Sequence, residues 1–218
     1  SYTHMVFPGM VFIAHPSELG TLYSLAELEE LSALCRRYQI PLYLDGARLA
    51  YGLAAPDTDV TLADIARLAD AFYIGGTKCG ALCGEAVVFP RGGMPRHFLT
   101  HAKQHGALLA KGRLLGVQFD TLFTDDLYGE VGRTAAAAAD ELRRILREAG
   151  CTFFRESPTN QQFVVLENAQ VEALAERIRF STWEKLGDGR TVIRLVTSWS
   201  TTPDDLAALE AALHEVMQ

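Results

Sequence analysis

Three short apolar segments alternating with two capped helices constrain this chain more than any other feature. Met10–Ala14, Leu42–Leu44 and Ala71–Ile74 are nearly unbroken apolar runs, the pattern expected of parallel strands covered on both faces. Between the first and second, Ser24-Leu-Ala-Glu27 forms a capping box, in which each side chain satisfies the other residue's backbone N–H. The helix it opens runs to about Tyr38, with Leu25, Leu28, Leu31 and Leu34 on one face. Between the second and third, Thr61 and Asp64 repeat the box, and Leu62, Ile65, Ala66, Leu68 and Ala69 mark an inward face. Two consecutive strand–helix–strand units make a parallel sheet with right-handed crossovers. Gly52–Asp59 reads as loop, and Glu85–Phe89 as one further strand.

The chemistry sits where these strands end. Pro41-Leu-Tyr-Leu-Asp45 closes in a carboxylate, followed by a glycine turn and Arg48; the third strand runs into Gly75-Gly-Thr-Lys-Cys-Gly80. Open α/β sheets bind ligands at the carboxyl ends of their strands. Lys78 has almost only apolar or glycine neighbours in sequence. An amine drawn away from water has a lowered pKa and becomes a nucleophile suited to Schiff-base chemistry; a solvated turn lysine is the competing reading. One crossover brings Asp45 and Lys78 to the same sheet edge. Pyridoxal phosphate needs such a pair, an amine for its aldehyde and an acid that keeps its ring nitrogen protonated.

Bulk properties exclude several classes. A formal net charge of −7 over 218 residues argues against nucleic acid or an anionic membrane as partner. No apolar run approaches the roughly 18 residues of a membrane helix, and no secretory signal opens the chain. Four dispersed cysteines do not make a disulfide scaffold, so a cytoplasmic enzyme is expected. Cys79 and Cys83, spaced C-x₃-C, read as small packing residues. His97, His101 and His105 fall at i, i+4 and i+8 in a stretch, Pro95–Phe123, that reads as helical. They lack an accompanying acidic or cysteine ligand, so no metal site is expected there.

Beyond Asp125-Asp126 a long alanine- and leucine-rich helix runs through Glu148 to a stop at Gly150. Strands are expected at 151–155, 161–166, 179–184 and 191–196, with helices at 171–178 and 203–216, Pro203 standing in the first turn of the last. This order describes a small α+β domain following a larger one. Arg194 lies among Val192, Ile193, Leu195 and Val196. A guanidinium in a strand interior is costly unless paired, which suits an anion, with a water-facing arginine as the alternative.

Leu44-Asp-Gly-Ala-Arg-Leu49, Gly75-Gly-Thr-Lys-Cys-Gly80 and Ile193-Arg-Leu-Val-Thr-Ser-Trp199 together resemble the pyridoxal-phosphate enzymes of fold type I. Within them the chain is most similar to the threonine aldolase and β-eliminating lyase group. His15-Pro-Ser-Glu-Leu-Gly-Thr21 and Ser157-Pro-Thr-Asn-Gln-Gln-Phe163 resemble the low-specificity L-threonine aldolases in particular. The resemblance implies an α/β transferase-like fold with a mostly parallel sheet, residues 1–124 forming part of the large domain and 125–218 the small one. It implies pyridoxal 5'-phosphate, held by Lys78 and Asp45, with Thr77, Arg48 and His15 also at the cofactor. Arg194 and Ser17 then bind a small amino-acid substrate, and Lys111 approaches a neighbouring subunit's phosphate in a homodimer or homotetramer. It also implies an additional N-terminal stretch carrying a phosphate loop and a ring-stacking residue. The chain is therefore expected to be a fragment. The implied reaction is carbon–carbon cleavage of threonine-type β-hydroxy-α-amino acids to glycine and an aldehyde. β-Elimination, serine–glycine conversion and an inert structural role are the alternatives.

Overall fold

A computed structural model describes residues 3–217. The chain divides into two compact units. One comprises residues up to His15, Tyr23–Leu49 and Asp59–Leu127; the other comprises Pro16–Leu22, Ala50–Thr58 and residues from Tyr128 onward.

The first unit carries β1 (Val11–Ala14), β2 (Leu42–Asp45), β3 (Ala71–Gly75) and β4 (Glu85–Val88), paired in that order. β1, β2 and β3 are parallel, while β4 returns antiparallel to β3. The small-residue loop before β4 is too short for a crossover, so the strand comes back as a hairpin. Both capping boxes form. Ser24 and Glu27 open α1 (Leu25–Tyr38), and Thr61 and Asp64 open α3 (Leu62–Leu68). Gln39 ends α1 in the left-handed region at φ 55°. The hydroxyl of buried Ser32 donates to the Leu68 carbonyl at 2.7 Å, tying α1 to α3. Leu42 N–H donates to Asp70 Oδ2 at 2.9 Å where β2 begins.

Two expectations change here. The strands are not covered on both faces. Leu42 and Leu44 are buried while Tyr43 and Asp45 are half-buried, and Phe12 is 56% exposed. On that more open side Phe12 and Tyr43 stack with ring centres 5.7 Å apart, and Tyr43 meets Tyr73 at 6.3 Å. Nor is 95–123 one helix. α4 (Phe98–Gln104) and α5 (Arg113–Leu122) are separate, and His97, at φ 62°, stands before α4. The break follows Gly106 (φ 72°) and Gly112, residues that weaken helix interiors. A short α2 (Leu49–Leu53) also occupies the start of the segment expected to be loop.

The second unit has an antiparallel sheet ordered β5 (Thr152–Arg155), β6 (Gln161–Glu167), β8 (Arg190–Val196), β7 (Ser181–Lys185). α6 (Leu127–Glu148), α7 (Asn168–Ala175) and α8 (Pro203–Val216) complete it. Leu142, Ile145 and Leu146 of α6, Leu174 of α7 and Leu209 and Leu213 of α8 share a core with Val164, Leu166, Ile193 and Leu195. A Cβ on Gly132 would come within 2.4 Å of the Ala50 carbonyl oxygen, so only glycine allows α6 this close.

Candidate active site

Parallel pairing sets the geometry of the first unit's site. Tyr43 pairs with Ala71 and Leu44 with Phe72, so Asp45 comes level with Tyr73. The ladder extends past both strand ends, Gly75 N–H donating to Gly46 O at 2.9 Å. Glycine is required on both sides. A Cβ on Gly46 would stand 2.1 Å from Tyr73 O, and one on Gly75 would stand 2.4 Å from Ala47 O. The turn beyond β3 is then pinned. Gly76 O accepts from Cys79 N–H (2.9 Å) and Ala81 N–H (3.1 Å), and Gly76 N–H donates to Glu85 Oε2 at 3.0 Å. Cys79 is buried under this turn, a packing residue as expected, whereas Cys83 is exposed and does not pack.

Lys78 sits on that turn and is exposed, as is Thr77. This corrects the expectation of an amine in apolar surroundings: Cys79 turns inward here, while Lys78 faces outward. Asp45 is half-buried, and its Oδ1 accepts from Ala47 N–H at 2.9 Å and from the Tyr73 hydroxyl at 2.5 Å. Burial first, and then this bond to Asp45, push the Tyr73 phenol well above its ordinary range. Arg48 is half-buried in the turn after Asp45.

His15 follows β1, and its N–H donates to Asp45 O at 3.0 Å. The ring is fully buried. Burial lowers its pKa to about 4, the Asp59 charge opposing in part, so it is neutral at pH 7. Nδ1 accepts a long hydrogen bond, 3.4 Å, from Tyr23 N–H. The neutral ring's proton therefore lies on Nε2, an atom buried with no hydrogen-bond partner among the described residues. That tautomer makes His15 a hydrogen-bond donor at Nε2.

Ser17 is in the second unit, its hydroxyl committed to the Thr21 hydroxyl at 2.6 Å and to Thr21 N–H at 3.1 Å. Lys111 is exposed in the turn before α5, and His97, His101 and His105 are exposed around α4. Among the described residues no three histidine, cysteine or acidic side chains gather in a metal-holding group.

Arg194 is half-buried in β8, between β6 and β7. Its described hydrogen-bond partners are neutral: Nη1 donates to Gln161 Oε1 at 3.2 Å and Nη2 to Ser181 Oγ at 3.3 Å. The guanidinium lies 5.7 Å from the Trp183 ring centre, and that ring meets Phe163 edge-on at 5.0 Å. Nε is buried and has no partner among the described residues. A cation aimed by neutral groups retains its charge for an anion. Sequence reading missed Trp183, Gln161, Ser181 and Tyr73; alternate positions on neighbouring strands were the available signal.

The residues from 2 to 169 match the model of the beta-eliminating lyase family. A low-specificity L-threonine aldolase of Pseudomonas aeruginosa is 28% identical over 98% of the chain and 61% of its own length. A threonine aldolase structure from Leishmania major superposes with a TM-score of 0.95 at 41% identity, over 99% of the chain and 63% of that protein. A pyridoxal-phosphate-bound structure from Clostridium difficile, described as an aminotransferase, aligns with a TM-score of 0.68 at 12% identity over 95% of the chain and 58% of its own. The chain thus spans about three fifths of the length of these proteins.

With its mostly parallel sheet and its antiparallel second unit, the fold is that of the type I pyridoxal-phosphate enzymes. Within that class, the chain belongs to the beta-eliminating lyase family.

Proposed function

We propose that the chain is the catalytic part of a pyridoxal-phosphate lyase that cleaves the Cα–Cβ bond of a β-hydroxy-α-amino acid, releasing glycine and an aldehyde. The observation that carries this reading is the placement of Asp45 and the Lys78 turn after adjacent parallel strands. Such strands lie about 4.8 Å apart. Similarity to the Leishmania major threonine aldolase over nearly the whole chain supports the choice of reaction.

The donor set fits the cofactor: a carboxylate for a ring nitrogen, a primary amine for an aldehyde, and glycines that let the backbone come close. When bound, pyridoxal phosphate supplies an electron sink conjugated to the substrate's α-carbon. Lys78 would hold it through its amine. Asp45 would accept a hydrogen bond from the ring N–H and keep that proton in place. Thr77 would donate to the phosphate, Arg48 would reach the phenolic oxygen or the substrate carboxylate, and His15 would donate from Nε2. Arg194 takes the substrate carboxylate. Gripping it fixes rotation about Cα and so decides which Cα bond breaks. Assembly as a homodimer or homotetramer, with a cytoplasmic location, belongs to the same proposal. Free Cys35, Cys79, Cys83 and Cys151 accord with a reducing compartment.

Pyridoxal phosphate followed by borohydride reduction and peptide mapping tests the cofactor role, and label at Lys78 is expected. A folded chain that stays unlabelled there overturns the reading in favour of an inert role. Product analysis with threonine, allo-threonine and serine then tests the reaction. The family's name favours β-elimination as the second reading; a keto acid with ammonia, and no aldehyde, would establish it.

A further inference from the structure

The shortest hydrogen bond at the first unit's strand ends joins two side chains from neighbouring strands, and one of them has no role in the scheme above. Tyr73 leaves β3 on the same side as Asp45 leaves β2, because the parallel register sets them level. Its hydroxyl donates to Asp45 Oδ1 at 2.5 Å. Ala47 N–H donates to the same oxygen. Two donors from different directions leave the carboxylate one orientation.

The phenol is itself held. Its ring meets Tyr43, which is stacked on Phe12, so three successive strands line up an aromatic row ending at the acid's donor. Tyr43 pairs with Phe12 across β1 and β2, and Tyr73 with Val87 across β3 and β4. The backbone beneath is equally rigid, since Gly46 and Tyr73 O leave no room for a Cβ. A half-buried tyrosine needs a partner for its hydroxyl. Many would serve, and this one bonds the acid on which the proposed cofactor chemistry depends.

We propose that Tyr73 is a positioning residue for Asp45, fixing the direction in which the carboxylate faces a ring nitrogen. The inference rests on the assignment of Asp45 as the cofactor's partner. Its physical content is the one seen where a ligating group is oriented by a hydrogen bond from behind, where loss of the outer partner costs about 10- to 100-fold in affinity or activity. Phenylalanine at 73 keeps the aromatic row and removes only the donor. The carboxylate then keeps only the Ala47 N–H of these two donors, and its alignment with the ring N–H loosens.

Two measurements test this. In the full chain without cofactor, a double-mutant cycle of Tyr73→Phe and Asp45→Ala is read by urea unfolding. A hydrogen bond to a charged group predicts a coupling of about tenfold or more in the unfolding equilibrium constant. In the chain loaded with ring-¹⁵N pyridoxal phosphate, Tyr73→Phe is expected to move the nitrogen resonance towards the unprotonated position and weaken cofactor retention about tenfold. A coupling under about twofold overturns the pair itself and leaves the Lys78 labelling test untouched. Coupling with an unmoved nitrogen resonance overturns the positioning role. If coupling is found but Lys78 takes no label, the functional reading falls, and the role built on it falls too.

Discussion

Buried His15 makes a pH prediction whose size follows from its surroundings. In the unfolded chain the imidazole titrates near 6.5; in the fold, burial holds it at about 4. Below pH 6.5 the unfolded state therefore binds a proton that the folded state refuses. Stability supplied by the neutral ring is fully present above pH 6.5 and is lost as pH falls towards 4. The gap, at about 1.4 kcal/mol per pH unit, corresponds to about 3 kcal/mol. Glutamine at 15 retains polar atoms but cannot titrate. Unfolding free energies from urea curves at half-unit steps between pH 7.5 and pH 4.5 should fall more steeply for the wild type than for His15→Gln. Most of the difference should appear below pH 6.5. Carboxylates elsewhere titrate in both proteins and cancel in the comparison. Parallel curves would refute the reasoning, for they would mean that the ring is solvated or charged in the folded state.

Two substitutions probe the strand ends and the second unit's cation. Gly46→Ala forces a Cβ against the Tyr73 carbonyl, where its ideal position is 2.1 Å away. A loss of about 1–3 kcal/mol in urea unfolding, with weaker cofactor retention, is expected; unchanged stability would show that the strand ends can part. Arg194→Lys keeps the charge but not the planar fork. Steady-state kinetics should show KM for the amino acid rising about tenfold or more with a smaller fall in kcat, and thermal stability shifting little because the guanidinium's described partners are neutral. An unchanged KM would remove Arg194 from the carboxylate site.

Local chemistry was legible in the one-dimensional chain wherever neighbours a few residues apart set it. Both capping boxes start helices where their residues stand. Pro203 begins the last helix, and the acid and the lysine do follow successive parallel strands. Each of these depends on contacts within one turn of helix, or on the handedness of a crossover, and so survives without knowledge of the rest of the fold. Lys78 shows the limit of the same approach. Apolar neighbours along the chain imply burial only if they fold over the side chain, and here Cys79 turns inward while Lys78 remains exposed.

Amino-acid order alone determined which residues with acid, amine or guanidinium chemistry stand at strand ends or within strands, because hydrophobic period and capping residues mark where strands and helices run. Tertiary structure decided which of them meet. Tyr73 faces Asp45, and Gln161, Ser181 and Trp183 surround Arg194, only through cross-strand register. A register slip of one residue would turn each side chain to the opposite face of its sheet, so those partnerships belong to the folded sheet and to no shorter stretch of chain.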